Sequence, residues 1–200
     1  PTTDLKKATE GIDVVIEAVP EILELKQRLF KELDEICAEP VILASNTSGL
    51  SINEVGTLVK RKDKIIGMHF FNPVQVMRGV EIVRAANTSD EAVKVIVDLA
   101  QKMGKESIVI NDSPGFVTTR LFTVMLNEAA KMVYEGVASP AEIDRLIELG
   151  LGHPMGPLKS ADINLTLAEH CLTYLRDRLG EEYRMCPLLK RMIASGQIGQ

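Results

Sequence analysis

Cysteine is scarce in these 200 residues: Cys37, Cys171 and Cys186 are the only three, and none stands in a CxxC pair. An odd, scattered set argues against a disulfide scaffold or a zinc site and fits a reducing compartment. Long hydrophobic runs are also missing. The apolar stretches within Asp13–Glu17 and Pro40–Ala44 are far too short to cross a bilayer, so a membrane is not an expected partner. There is no basic excess either. The formal net charge is -5 with Lys and Arg scattered along the chain, which argues against a nucleic-acid partner. No internal repeat or low-complexity segment occurs. The most informative absence is a glycine-rich phosphate loop. A dinucleotide-binding sheet opens with strand, GxGxxG and helix, because glycine lets backbone approach a pyrophosphate. The nearest lookalike, Gly150-Leu-Gly-His-Pro-Met-Gly156, has the wrong spacing, follows a predicted helix and contains Pro154. It reads as a turn between two helices.

What is present is a hydrophobic fraction of 46%, enough for a sizeable core in one large or two small domains. The first half alternates short β-branched runs with helical patterns. Asp13–Glu17, Val41–Ala44, Lys64–His69, Val80–Val83 and Ser107–Ile110 read as strands. Pro20–Cys37 reads as a helix, with Ile22, Leu25, Leu29, Leu33 and Ile36 at helical spacing and Pro20 suited to a first turn. Ser51-Ile-Asn-Glu54 and Thr88-Ser-Asp-Glu91 have the form of capping boxes, the second opening a helix through Met103. Strand–helix alternation of this kind predicts an α/β sheet covered by helices.

The character changes at Asn111-Asp-Ser-Pro-Gly115. From Phe116 onwards no further strand is predicted. Phe116–Tyr134 reads as a long apolar helix, and Ser139-Pro-Ala-Glu142 as a third capping box. That box puts Ile143, Leu146, Ile147 and Leu149 on one face, with Gly150 as the C-terminal cap. A further helix is predicted from about Ala161 to Leu179. The boundary falls near Asp112, dividing residues 1–112, an α/β part, from residues 113–200, an all-helical part.

Four segments in order carry a resemblance. They are Val15-Ile-Glu-Ala-Val-Pro-Glu21, Ala44-Ser-Asn-Thr-Ser48, Gly67-Met-His-Phe-Phe-Asn-Pro73 with Met77–Glu81, and Asp112-Ser-Pro-Gly-Phe116. With the turn Gly150–Pro157 added, the chain resembles the L-3-hydroxyacyl-CoA dehydrogenase family over nearly its whole length. The resemblance implies a Rossmann-like doubly wound sheet lacking its first unit, followed by an all-α C-terminal domain truncated at its end. It places Pro1 after the glycine-rich unit, so a strand, GxGxxG and helix are expected before it. It implies NAD as cofactor, an acyl-CoA thioester as substrate, oxidation to the 3-oxoacyl thioester, and a homodimer formed through the helical domain; the cysteine usage makes a cytoplasmic setting the expectation. A related sugar-acid or hydroxy-acid dehydrogenase and a non-catalytic member of the superfamily stand as alternatives.

Oxidising a 3-hydroxyacyl thioester requires removing the hydroxyl proton while hydride leaves carbon. Imidazole, which titrates near neutral pH as a residue type, suits the first task. His69, at a predicted strand end, is the base that the resemblance implies. It makes Glu81, on the next strand, the partner that fixes the imidazole tautomer. By the same resemblance Ser48 contacts substrate and cofactor, Asn46 and Asn72 line the same site, and Glu21 and Lys26 contact the cofactor's ribose and nicotinamide side. Read without it, Ser48 lies in a polar turn, Glu21 favours a helix start and Lys26 is a solvated helix residue. The pattern departs from the family in two places. Thr119 stands where the family usually carries a substrate-side asparagine, keeping a hydroxyl but losing two amide donors. Leu165 and Leu167 replace a glycine and an aspartate that follow Asp162.

Overall fold

Five strands form one sheet in the order β1-β2-β3-β4-β5 in the computed structural model, which describes residues 1–161 and 165–197. The chain divides into two units, Pro1–Phe116 and Val117–Gln200. In the first unit the elements are α1 (Leu5–Ala8), β1 (Val14–Glu17), α2 (Leu23–Ile36), β2 (Ile42–Ser45), α3 (Ile52–Val55), β3 (Ile65–Phe70), β4 (Gly79–Arg84), α4 (Asp90–Lys102) and β5 (Glu106–Asn111). The second unit holds α5 (Thr118–Tyr134), α6 (Pro140–Leu151), α7 (Pro157–Ala161), α8 (Leu165–Leu179) and α9 (Pro187–Ala194), with no strand among the described residues. This is the Rossmann-like sheet and helical domain that the sequence implies.

Neighbouring strands run parallel except β3 and β4, which are antiparallel. Side chains alternate across the sheet, so β2, β3 and β4 each feed two cores. Leu43, Ile65 and Val83 pack with Phe30 and Leu33 of α2 and Ile52 and Val55 of α3 on one face. Ile42, Ile66, Met68 and Ile82 pack with Ala92, Ile96 and Ala100 of α4 on the other. Burial on both faces explains why β2 and β3 read as nearly continuous apolar runs, whereas β5 is largely exposed. In the second unit Leu126 and Ala130 of α5 bury against Leu165, Ala168 and Leu172 of α8 and Leu189 of α9. Among the described residues no helix is long and apolar enough to cross a membrane.

Several helix ends differ from the sequence reading. Helix α2 starts at Leu23, with Ile22 in extended backbone as its cap, so Pro20 precedes the helix and is not in its first turn. The cap of α4 is Ser89, whose hydroxyl accepts from the Ala92 amide. Thr88 is buried instead, donating to the Ile65 carbonyl and accepting from the Ala85 amide at 2.9 Å. Tertiary hydrogen bonds outcompete the local box there. Helix α6 runs past Gly150 to Leu151 and ends on Gly152, which takes the left-handed conformation. Phe116 cannot belong to α5, since its φ is 51°. Helix α9 was not anticipated, and the expectation placed on Asp162 lies outside the described residues.

Two polar staples hold secondary elements in place. The Arg61 guanidinium donates to the Asp34 carboxylate at 2.7 Å and to the carbonyls of Asp34, Cys37 and Ala38, capping the end of α2. Burial pushes the Asp34 carboxyl up, but the amides of Lys60 and Arg61 and the Arg61 guanidinium outweigh it and hold it below the ordinary 3.8. In the second unit Asp144 accepts from the Leu158 and Lys159 amides, both at 2.8 Å, fixing the start of α7. A Cβ on Gly156 would collide with the Asp144 side chain, so this glycine is required by close approach.

Asp34→Asn is expected to cost about 1–3 kcal/mol near neutral pH by removing a charged acceptor from several donors. Because the folded carboxyl titrates below its ordinary value, wild type's advantage is present above that value. It disappears as pH falls through the folded one, which denaturation midpoints down to about pH 3 would reveal. Gly156→Ala is expected to destabilise by about 2–4 kcal/mol, since Asp144 must leave two amides to admit the methyl group. Thermal unfolding of the two proteins checks this.

Candidate active site

Strand alternation gathers a polar row on the sheet face that carries α2 and α3. Glu17 closes β1 and pairs in register with Ser45, which closes β2. His69 of β3 pairs in register with Glu81 of β4. All four are buried, between 0% and 5% exposed, in positions where a core would place apolar side chains.

His69 Nδ1 lies 2.7 Å from Glu81 Oε2. A carboxylate only accepts, so Nδ1 carries the proton of this contact, and in the neutral imidazole Nε2 is the acceptor. Rings flank the imidazole: Phe71 meets it edge-on at 5.0 Å between centroids and Phe116 lies tilted at 5.9 Å. Phe116 holds its positive φ inside the core beside α2 and α3, a backbone conformation that bulky residues rarely adopt. The Gly115 amide donates to the Gly49 carbonyl at 2.8 Å, tying this segment to the loop after β2.

That loop carries Ser48. The Glu21 carboxylate accepts from the Thr47 hydroxyl and from the Ser48 amide, the latter at 2.9 Å, so Glu21 and Ser48 are brought together. Asn46 accepts from the Phe70 amide at 2.9 Å and thereby locks the end of β2 to the residue after His69. Lys26 is not a solvated helix residue. Its ammonium is enclosed and spent on Glu17 at 2.7 Å, the Val19 carbonyl at 3.0 Å and Glu21 at 3.4 Å. With three N–H groups and three acceptors, it bears on a ligand only through Glu21. Asn72 lies exposed in the loop between β3 and β4, whose main chain is held by Lys105 donating to Val74 and Met77 carbonyls. Thr119 occupies the first turn of α5 in the second unit, half-buried.

The sequence reading passed over Glu17, Ser45, Thr47 and Asp112. Asp112 accepts from the Ser51 hydroxyl at 2.6 Å and from the Ile52 and Asn53 amides at 3.0 and 2.9 Å, fixing the start of α3. The available signal was a carboxylate ending an otherwise apolar run at Glu17, and a second just beyond the run that ends at Ile110, at Asp112.

The residues present fit the nicotinamide half of NAD. Glu21, Ser48 and Asn46 follow the carboxyl ends of parallel strands, where open α/β sheets receive nucleotides. The Glu21 side chain is 26% exposed and retains acceptor capacity for ribose hydroxyls. Ser48 offers a half-buried hydroxyl, and Asn46 keeps its amide donors, for carboxamide or substrate oxygen. The chain contains no GxGxxG to hold a pyrophosphate.

Comparison with known proteins identifies the family. Residues 1–113 match the family model for the NAD binding domain of 3-hydroxyacyl-CoA dehydrogenase, and residues 115–200 match that for its C-terminal domain. A probable 3-hydroxybutyryl-CoA dehydrogenase of Bacillus subtilis is 47% identical over 193 residues, covering 96% of this chain and 67% of the relative. One from Deinococcus radiodurans is 44% identical, covering 100% of this chain and 72% of the relative. Among solved structures, (S)-3-hydroxybutyryl-CoA dehydrogenase from Ralstonia eutropha superposes with a TM-score of 0.93 at 41% identity, covering 98% of this chain and 70% of that one. Matched across both of its units, the chain belongs to the 3-hydroxyacyl-CoA dehydrogenase family.

Proposed function

We propose that the protein oxidises the 3-hydroxyl of short L-3-hydroxyacyl-CoA thioesters, of the 3-hydroxybutyryl class, to the 3-oxo form with NAD. The observation that carries this reading is the buried His69–Glu81 pair, 2.7 Å apart, with Nε2 left as acceptor. NAD, when bound, supplies the hydride acceptor. His69 takes the hydroxyl proton at Nε2, and Glu81 holds the other proton on Nδ1 and stabilises the imidazolium that forms. Ser48 holds the reacting oxygen through its hydroxyl, a positioning role. Phe71 and Phe116 keep water from the imidazole. Glu21 accepts from the cofactor ribose, with Asn46 and Asn72 lining the site.

A carboxylate held against imidazole inside a core supports catalysis over a non-catalytic role, because a fold kept only for binding gains nothing from burying that charge. The three free cysteines support a cytoplasmic, reducing setting. A homodimer through the helical unit is supported by α5. It buries Leu126, Ala129 and Ala130 but leaves Leu121 at 67% and Phe122 at 42% exposed, with Leu146 and Leu149 of α6 also exposed.

NADH oxidation with acetoacetyl-CoA by the whole protein tests the reaction. His69→Gln is expected to lower kcat by about a hundredfold or more, and a wild-type rate would end the proposal. Glu81→Gln is expected to lower kcat severely while NADH affinity stays within about twofold, because the tautomer is disturbed and the cofactor pocket is not. Sedimentation is expected to give a dimer at micromolar concentration. Leu121→Glu combined with Phe122→Glu is expected to shift it to monomer.

A further inference from the structure

Glu17 lies outside every role assigned above, yet its carboxylate is the most enclosed in the first unit's polar row, with no side-chain exposure. Oε1 accepts from the Val19 amide at 2.6 Å and from Lys26 at 2.7 Å. Oε2 accepts from the Ser45 hydroxyl at 2.7 Å, and Ser45 Oγ accepts in turn from the Thr47 amide at 3.2 Å. Thr47 donates to Glu21, and Glu21 returns to Lys26 at 3.4 Å. The contacts form a closed ring: Glu17, Ser45, Thr47, Glu21, Lys26. It joins the end of β1 and the start of α2 to the end of β2 and the loop after it, 28 residues on from Glu17 at Ser45. We infer that Glu17 is a positioning residue, which sets the Ser48 loop and the Glu21 carboxylate together as one rigid wall for the nicotinamide half of the cofactor.

Charge and direction support this. Two carboxylates share one ammonium, so one negative charge is left over. Glu17 is sealed and holds the ammonium at the shorter distance, which leaves the surplus on Glu21, the member open to a ligand. Glu17 also fixes both sides of the wall. Through Val19 and Lys26 it anchors the chain leading to Glu21, and through Ser45 and Thr47 it orients the peptide leading to Ser48. A well-packed apolar trio would serve stability equally or better, because burying ions costs desolvation. Neutralising Glu17 frees Lys26 to draw Glu21 away from the Ser48 amide, and the wall comes apart.

The inference rests on the functional reading of Glu21 and Ser48, but its test does not depend on turnover. Glu17→Gln and, separately, Ser45→Ala in the whole protein are measured by amide hydrogen exchange. Exchange over residues 47–50 is expected to rise by about tenfold or more while β3 keeps wild-type protection. NADH binding, followed by its fluorescence, is expected to weaken about fivefold or more. Ser45→Ala keeps all charges, so it reports even where Glu17→Gln fails to fold. Unchanged exchange over 47–50, or a rise spread evenly into β3, overturns the proposal. A wild-type protein inert toward acetoacetyl-CoA overturns the functional reading instead, and the exchange result stands apart from it.

Discussion

The antiparallel register of β3 and β4 places Glu81 directly across from His69, and the chemistry of the site depends on that register. Cross-strand partners share one face, so a carboxylate and an imidazole twelve residues apart meet at 2.7 Å. A slip of one residue would send Glu81 to the face covered by α4 and leave His69 with Ile82 or Val80 opposite it. The apolar residues alternating with these two, Met68 and Ile82 on the opposite face, bury against α4 and oppose such a slip. The hydrophobic pattern that stabilises the sheet therefore also fixes the tautomer of its histidine.

The same logic extends along the row. At the ends of β1 and β2 the face that buries Val15 and Leu43 carries Glu17 and Ser45 one step further on. A buried carboxylate is tolerated there because each of its oxygens is satisfied by cationic, hydroxyl or amide donors, and no buried side-chain polar atom of the described residues lacks a partner. Polar satisfaction is achieved by drawing in the start of α2 and the loop after β2. Burying these charges thus organises the main chain around the site as well as the side chains.

The second unit relies on local rules more than the first. Ser139 and Glu142 cap each other's backbone at the start of α6, and Gly152 closes the helix in the left-handed conformation. Asn127, buried in α5, accepts from the Cys186 amide at 2.8 Å and donates to the Arg184 carbonyl at 3.1 Å, fixing the approach to α9. That contact spans 57 to 59 residues, and nothing near Asn127 in sequence announces it. Caps at Ser51 and Ser139 could be read directly because both partners lie within one turn. Thr88 misled for the opposite reason: its hydroxyl found the Ile65 carbonyl, 23 residues away, and left the cap to Ser89.

By itself the sequence determined the existence and order of all five strands, the change to a helical unit after Asn111, and the resemblance that singles out His69, Glu81, Ser48 and Glu21. These are carried by short-range periodicity and by motifs, whose information is local. Tertiary structure alone decided that Lys26 is sealed behind Glu21, that Asn46 holds the Phe70 amide, and that Glu17 and Ser45 close a ring around the Ser48 loop. Strand pairing between segments 24 to 28 residues apart sets the last two of these contacts. A lone glutamate at the end of an apolar run carries no sign of which strand will lie beside it. Its meaning comes from the register, which packing of the whole sheet selects.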